Sequence, residues 1–383
     1  LDPKREDSTY PFSSLAGVGV SFKLIQALSY RLNLDRKRYL KYLDVVCLGT
    51  VADIVPLVDE NRIIVTYGLI LMKQTRKVGL QELIKASGYS KIDSTTISFG
   101  LAPRLNACGR MGKADLALEL ILTQDRAEAQ KIALELNEIN KERQEVEKKI
   151  ISDAIEIIER DKLYENGVIV VGNENWHHGV IGIVASKITE TYYKPSILIC
   201  MENGKGKGSG RSIEGFDLHG ALTECEDLLE KFGGHEMAIG LSIYESNILK
   251  LREKLCSIAI ENKIDELQPV VKIDAEVNSD DISFETIRDL EKLEPFGEAN
   301  PSPIFMYKNL KVDSVRALSN GKHLRLVLKD NNFKYDAIAF NMGDKRLSIE
   351  IGNKVDIAHS LEINHFNNTD KIQFNLKDIK KSL

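Results

Sequence analysis

Gly204-Lys-Gly-Lys-Gly-Ser-Gly-Arg-Ser212 is the stretch on which the reading of the chain turns. Glycines at 204, 206, 208 and 210 leave the backbone free to aim its N–H groups at one point. Lys205, Lys207 and Arg211 add positive charge beside those donors. Amide nests and a guanidinium fork both match phosphate oxygens, so Ser209, Gly210, Arg211 and Ser212 are candidates to bind one. Further on, Phe232-Gly-Gly-His235 reads as a second turn. Gly233 and Gly234 would permit close approach, and the His235 imidazole can donate a hydrogen bond. The plain alternative is a glycine-rich surface hairpin followed by a tight turn. Taken together, and bracketing one helix, the two stretches point to an anion or nucleotide site.

Outward from this stretch, bulk properties set the frame. A chain of 383 residues should divide into two or three domains, each able to bury a core. A hydrophobic content of 43% with 28% charged residues fits a soluble protein. No apolar run approaches a membrane span. Cys47, Cys108, Cys200, Cys225 and Cys256 are scattered, odd in number and without CxxC spacing. That argues against a disulfide framework or thiolate zinc site and for a reducing, cytoplasmic compartment. A net charge of −5 excludes wholesale coating of nucleic acid but allows a local basic stripe.

Along the chain, residues 1 to 12 read as loop, and helical spacing runs from Ser13 to Leu32 and from Arg36 to Leu48. Asp53 follows in Gly49-Thr-Val-Ala-Asp53, with Pro56 ending any regular continuation. It is either a helix N-cap or a carboxylate held for a hard divalent cation. Residues 62 to 87 read as a helix or helix pair. Gly100-Leu-Ala-Pro-Arg104-Leu-Asn106-Ala-Cys-Gly-Arg110 reads as a loop able to point Arg104, Arg110 and Asn106 at a phosphate, unless the arginines are merely solvated. From Thr123 to Lys162 there is neither proline nor glycine. One apolar stripe runs through positions 129, 132, 136, 139, 146, 150, 154 and 158, with Arg143 interrupting it. The expectation is a long exposed helix joining two domains, with a coiled-coil seam as the alternative that the alanines and Arg143 in the stripe disfavour.

Residues 163 to 262 alternate strand and helix, a small α/β domain with Trp176-His177-His178-Gly179 at a strand-to-helix turn. A helix N-terminus there favours an anion, with one of the two histidines functional and the other exposed. Residues 267 to 302 are acidic, and residues 303 to 383 reverse the balance. In the latter, Leu324, Leu326 and Leu328 alternate with polar residues, and Asn320-Gly321 marks a hairpin. Short strands at this spacing suit an OB-fold barrel, whose Arg, His and Lys face, with Tyr307, Phe333, Tyr335 and Phe366 nearby, suits single-stranded nucleic acid.

In order along the chain, these segments resemble the RecJ single-strand-specific exonucleases of the DHH phosphoesterase superfamily. The match runs through Tyr10-Pro-Phe, Leu48-Gly-Thr-Val-Ala-Asp53, Ala102-Pro-Arg-Leu-Asn-Ala-Cys-Gly-Arg110 and Trp176-His, then Lys207-Gly-Ser-Gly-Arg-Ser212, Gly215-Phe-Asp-Leu-His219, Phe232-Gly-Gly-His235 and Leu293-Glu-Pro-Phe-Gly297. The resemblance implies an α/β multidomain chain. Its parts would be the C-terminal part of a DHH catalytic domain (1–123), a connector helix (124–162), a DHH-associated substrate-binding domain (163–266) and an OB-fold (267–383). It implies a metal-dependent hydrolase of DNA repair and recombination that releases mononucleotides 5′ to 3′, with two Mn2+ or Mg2+ ions.

The family's Asp-x-Asp and Asp-His-His motifs do not occur here. The family places them ahead of the segment that begins at Leu1, so the expectation is a RecJ lacking the front of its catalytic domain. Of the metal ligands only Asp53 carries over, and this chain alone should be inactive. Arg104, Asn106, Arg110, His177, Ser209, Gly210, Arg211, Ser212, Gly233, Gly234 and His235 would handle the terminal nucleotide. Single-stranded DNA is the implied partner, with a RecQ-type helicase and a single-strand-binding protein as further candidates and a monomeric state expected. The rival readings are a DHH-family phosphodiesterase acting on short RNA or cyclic dinucleotides, an editing domain like those of alanyl-tRNA synthetases, and a non-catalytic single-strand-binding module.

Overall fold

The structure, a computed structural model, describes residues 2–382 apart from 332, 344, 346–347 and 367–368; the side chains of 365 and 366, and so the predicted aromatic Phe366, also lie outside the described residues. The chain divides into two compact units. One comprises Leu1–Thr75, Lys91–Ser98 and Val270–Leu383; the other comprises Arg76–Ser90 and Phe99–Pro269. Residues 76–90 and 99–123, expected to belong with the N-terminal part, therefore fall in the unit that holds the long helix.

In the first unit, helices α1 (Gly17–Arg31), α2 (Lys37–Leu40), α3 (Leu43–Ala52) and α4 (Asp59–Met72) form a helical layer. Leu15, Phe22, Val46 and Ile64 make its small core. Gly68 brings α4 onto α3, since a Cβ there would lie 2.2 Å from the Cβ of Cys47. The C-terminal part adds strand β6 (Ala275–Glu276), helix α13 (Phe284–Glu291) and strands β7 (Phe305–Leu318), β8 (His323–Lys329), β9 (Lys334–Ala339), β10 (Lys354–Phe366) and β11 (Thr369–Lys381). The order β10-β11-β9-β8-β7, closed by pairing of β10 with β7, is the predicted OB-fold barrel, and β6 extends it beside β7. Leu324, Leu326 and Leu328 point into its core, as their alternation requires. The Leu293-Glu-Pro-Phe-Gly297 segment clasps the helical layer. Arg62 donates to the Leu293 carbonyl (3.0 Å), Ser94 of the short helix α6 (Ser94–Thr96) donates to the Phe296 carbonyl (2.7 Å), and the Leu57 amide donates to the Glu298 carbonyl (2.7 Å).

In the second unit, helices α5 (Val78–Ser87), α7 (Ala102–Arg110) and α8 (Ala114–Leu122) pack on the long helix α9 (Arg126–Arg160). The segment around Arg104, expected as a loop, is thus helical. Pro103 sits in the first turn, where its missing N–H costs nothing. Asp125 caps α9, accepting from the amides of Ala127 (2.7 Å) and Glu128 (3.1 Å). Nor is α9 an exposed rod. Ile132, Leu136 and Ile139 are buried in its first half and Ile150, Ala154 and Ile158 in its second, so the apolar stripe is a packing face throughout.

The second half of α9 covers one face of a five-stranded sheet of order β1-β2-β3-β5-β4. Its strands are β1 (Ile169–Asn173), β2 (Ser196–Glu202), β3 (Lys205–Arg211), β4 (Leu229–His235) and β5 (Ala238–Tyr244). With α9 and α10 (Ile181–Tyr192), the side chains of Ile169, Val171 and Leu198 form one core layer. Below the sheet, α11 (Leu218–Thr223) and α12 (Ile248–Glu261) cover Val168, Val170, Ile197, Ile199, Leu241 and Ile243.

Candidate phosphate-binding site

The glycine stretch is not a nest. It is strand β3, paired antiparallel with β2 on one side and β5 on the other, so its amides are spent in the ladder. Its glycines alternate with polar residues, and the strand's period of two sends them to opposite faces. Gly206, Gly208 and Gly210 face the lower core. A Cβ at Gly210 would lie 2.7 Å from Ile239 Cδ1, so Gly210 cannot itself face a ligand with anything but its backbone. Lys205, Lys207, Ser209 and Arg211 face the other way. Asn203 and Gly204, both at positive φ, make the two-residue β2–β3 hairpin turn that the Asn-Gly pair favours.

The Phe232-Gly-Gly-His235 segment is likewise a strand rather than a turn. Gly234 adopts φ 139° against β5, where a Cβ would lie 2.2 Å from the Ala238 carbonyl oxygen, so only glycine fits. Arg211 and His235 both pair with Ala238, which sets them in one row on the upper face, two strands or about 10 Å apart. One step along, Ser209, Gly240 and Gly233 form the next row. Gly233 is exposed, and His235 is exposed with no side-chain partner among the described residues.

Arg211 is half-buried. Its Nη1 donates to its neighbour's carbonyl, Gly210 O (2.7 Å), and to Ser209 Oγ (3.2 Å), which fixes the guanidinium against the first turn of α10. A Cβ at Gly182 would lie 3.1 Å from Ser209 Oγ and 3.5 Å from Arg211 Nη2. The Gly182 amide has no acceptor among the described residues, as expected of a helix's first turn. From the far side, Arg110 at the end of α7 donates to the Gly179 carbonyl (3.1 Å). A Cβ at Gly179 would stand 2.3 Å from the Arg110 carbonyl oxygen, so glycine lets these backbones touch. His177 and His178 stack at 5.3 Å, and His177 Nδ1 accepts from the Gly179 amide (3.2 Å), fixing its ring in the turn. His178 is exposed and His177 half-buried, so the two stacked rings differ in their access to solvent.

The charges here are only partly compensated: among the described residues neither Arg110 nor Arg211 forms an ion pair with a carboxylate. Burial lowers the Arg110 pKa from its ordinary value, and the charge of Arg143 lowers it further. Arg211 is lowered by burial and then by Arg110. Arg143, on α9, is nearly enclosed and held by Glu147 and by Asn140 Oδ1 (2.8 Å). Arg110 and Arg211, coupled to each other beside the first turn of α10, make a site that favours an anion, with the Arg143–Glu147 pair behind Arg110. Sequence reading passes over Arg143 as a break in an apolar stripe. Its signal is there nonetheless: a charge on a buried helix face needs a partner or a ligand.

The other candidates divide. Arg104 is tied to Asn137 Oδ1 (3.1 Å) and the Gly100 carbonyl (2.5 Å), and burial lowers its pKa. Asn106 is exposed, with no side-chain partner among the described residues. Ser212 is a correction. It is buried, and its hydroxyl donates to the Phe216 carbonyl (2.6 Å), so it holds a loop and has no donor left for a ligand. Asp53 is exposed at the C-terminal end of α3, not at an N-cap, where the helix dipole disfavours a carboxylate. Among the described residues no group of three or more His, Cys, Asp or Glu side chains is placed to hold a metal ion. Asp53 alone does not fit a two-metal centre. In the barrel, Tyr307 and Tyr335 are core residues bonded through their hydroxyls to Asp330, whereas Phe333 is exposed. Phe340, exposed and edge-on to His323 at 5.4 Å, is an aromatic that sequence reading misses.

Residues 273–378 match the family model of the RecJ OB domain, and residues 165–261 match that of the DHHA1 domain. The chain is 40% identical over 384 residues to the single-stranded-DNA-specific exonuclease RecJ of Bacillus subtilis, covering 99% of this chain and 48% of that protein. It is 32% identical to the enzyme of the same name from Haemophilus influenzae, covering 97% of this chain and 68% of the relative. The crystal structure of RecJ in complex with Mn2+ from Thermus thermophilus superposes with a TM-score of 0.86 at 32% identity, over 100% of this chain and 55% of that one. The same protein has been solved with Mg2+. The chain thus spans between about half and two thirds of the length of these relatives.

Proposed function

Because the chain belongs to the RecJ family, we propose that it takes part in 5′-to-3′ exonuclease action on single-stranded DNA, and that the residues described here capture the 5′ end. The observation that carries this reading is the convergence of Arg110, Arg211, Ser209 and the unbonded Gly182 amide on the first turn of α10. Arg211 and Arg110 would neutralise the terminal phosphate, and the Gly182 amide and Ser209 hydroxyl would add donors to its remaining oxygens. His177 and His235 would flank it, with Arg104 and Asn106 farther along α7. Gly233, in the row beyond Arg211 and His235, would leave the outer side of the terminal phosphate open. Residues 163–266 serve in this reading as the end-binding domain. The barrel of residues 267–383 serves as a single-strand track, with His323, Arg325, Phe333 and Phe340 to neutralise and stack.

Hydrolysis in this reading uses Mn2+ or Mg2+, as in the structures of relatives. Asp53 offers one carboxylate and no more, so the chain by itself should bind without cutting. A RecQ-type helicase and a single-strand-binding protein enter as suppliers of the unpaired strand. The chain would work as a monomer in the bacterial cytoplasm.

The test is fluorescence anisotropy with short single strands bearing a 5′ phosphate or a 5′ hydroxyl. Binding should favour the phosphorylated end, and Arg211→Glu should weaken it tenfold or more while leaving the 5′-hydroxyl strand nearly unaffected. Equal affinities for the two ends, or no response to Arg211→Glu, would remove the site. Incubation with Mn2+ should leave an end-labelled strand intact; release of mononucleotides would overturn the assignment of binding without cutting.

A further inference from the structure

Beyond Arg211 the upper face of the sheet continues as a trough. We propose that this trough is a subsite for a nucleoside monophosphate joined through a pyrophosphate to the 5′ end, that is, for an adenylated or similarly capped strand. The inference rests on Arg110 and Arg211 gripping the strand's own phosphate.

The trough follows from the pairing. Ser209, Gly240 and Gly233 form its first row beyond Arg211, and Lys207, Ser242 and Lys231 its second. A Cβ added at Gly240 or Gly233 would meet nothing within 4 Å, so the floor is bare peptide open to the outside. Gly206, Gly208 and Gly210 on the lower face have the opposite surroundings, each pressed against core side chains. The upper-face glycines therefore do nothing for core packing, and they leave a flat surface on which a planar base can lie. At the hairpin end the trough meets a cavity of about 590 Å³ lined by His178, Cys200, Ser242, the lysines Lys205 and Lys207, and the carboxylates of Glu202 and Glu230. That volume lies within the range of small-ligand pockets and suits one nucleoside.

The charges match the cap. Lys207 is exposed, and its ammonium has no partner among the described residues. It lies four residues from Arg211 on the same face, about 14 Å along the strand. With both phosphates of the pyrophosphate, joined through one bridging oxygen, held beside the arginines, the attached nucleoside would extend along the strand toward this lysine, which can donate to its sugar and base. Glu230 is ion-paired to Lys205 at 2.7 Å, which limits its repulsion of an anion. Ser242 offers both a donor and an acceptor to a base edge. Ends of this kind are left by ligation reactions that stop after activating the 5′ phosphate.

The experiment measures anisotropy with one short strand in three forms: 5′-hydroxyl, 5′-phosphate and 5′-adenylated. The unmodified chain should bind the adenylated form at least as tightly as the phosphorylated one. Gly240→Leu, which fills the floor, and Lys207→Glu, a surface change, should each weaken the adenylated form tenfold or more. Both should shift the phosphorylated form less than threefold. Circular dichroism checks the fold of each variant, and Lys207→Glu decides the matter should Gly240→Leu fail to fold. Binding of the adenylated strand tenfold weaker than the phosphorylated one, or variants that affect both forms alike, would overturn the subsite. Insensitivity of both forms to Arg211→Glu would instead remove the phosphate site beneath it.

Discussion

The parity of strand β3 can be tested through two glycines that differ only in the face they serve. At Gly206 a Cβ would lie 2.4 Å from Ile199 Cγ2, 2.9 Å from Met201 Sδ and 3.3 Å from Ile243 Cγ2. Ile199 and Ile243 are fully buried, so neither has room to yield. Overpacking of this kind costs about 1–3 kcal/mol. At Gly240 a Cβ meets open space and the φ is not positive, so alanine there gains about 0.4–1 kcal/mol by restricting the unfolded chain. The same unfolded-state gain applies at Gly206 and leaves a net loss there of about 1–2 kcal/mol. Gly206→Ala and Gly240→Ala should therefore differ by about 2 kcal/mol in opposite directions. For a unit of this size that separates their thermal midpoints by about 4–8 °C. Melting followed by circular dichroism measures it. Midpoints within a degree of each other, or Gly240→Ala melting below Gly206→Ala, would refute the assignment of faces, and with it the placement of Arg211.

Ser212→Ala should cost about 1–3 kcal/mol of stability by leaving the Phe216 carbonyl without its buried donor, with no change in affinity for a 5′-phosphorylated strand; a loss of affinity without a loss of stability would return Ser212 to the site. Asp125→Ala should cost about 1 kcal/mol by uncapping α9, a loss that urea titration resolves and that asparagine should largely restore. His359 is fully buried against Phe374 at 4.2 Å with neither ring nitrogen hydrogen-bonded, and burial depresses its pKa to about 4, only partly offset by the Ser360 backbone. The unfolded chain therefore binds the proton first, so the barrel should lose about 3 kcal/mol as pH falls from about 6.5 to 4, and His359→Leu should flatten that part of the stability profile; an unchanged slope in the variant would refute this.

Much of the fold is legible because burial writes a period into the sequence. Leu324, Leu326 and Leu328 announce a half-buried strand, and the stripe through α9 announces a helix. What the stripe cannot announce is its partner, and α9 proves buried along both halves. The Arg104 segment reads as a loop because proline and glycine usually break helices, yet Pro103 falls in the first turn, where it is tolerated. The glycine stretch misleads for a related reason. Glycine permits both a nest and a strand with neighbours pressed close beneath it, and composition does not separate the two. The alternation with Lys, Lys, Ser and Arg, together with Asn203-Gly204 ahead of it, is the sign of a strand. The chemistry of Arg110 and Arg211 is plain in the sequence, but the positions that bring them together, Gly179 and Gly182, become visible only once α7 and α10 meet.

That β3 is a strand changes how the site works. A loop nest would take its shape from the anion it binds and would spend free energy on ordering at that moment. Arg211 instead springs from a strand held on both sides, and its guanidinium is tied to Gly210 O and Ser209 Oγ before any ligand arrives. Arg110 is likewise fixed through Gly179, and Arg143 through Glu147 and Asn140. The ordering is done in folding, and so is the unfavourable part: half-burying Arg211 beside Arg110, and holding the exposed Arg110 near Arg143, a repulsion that Glu147 only partly offsets. In the proposed reading, an arriving phosphate would relieve that repulsion without asking the backbone to move. Selectivity for a strand end over an internal phosphate would then rest on access, because a terminal phosphate could approach the first turn of α10 with one side unencumbered. The bare glycine floor next to it is what leaves that side open.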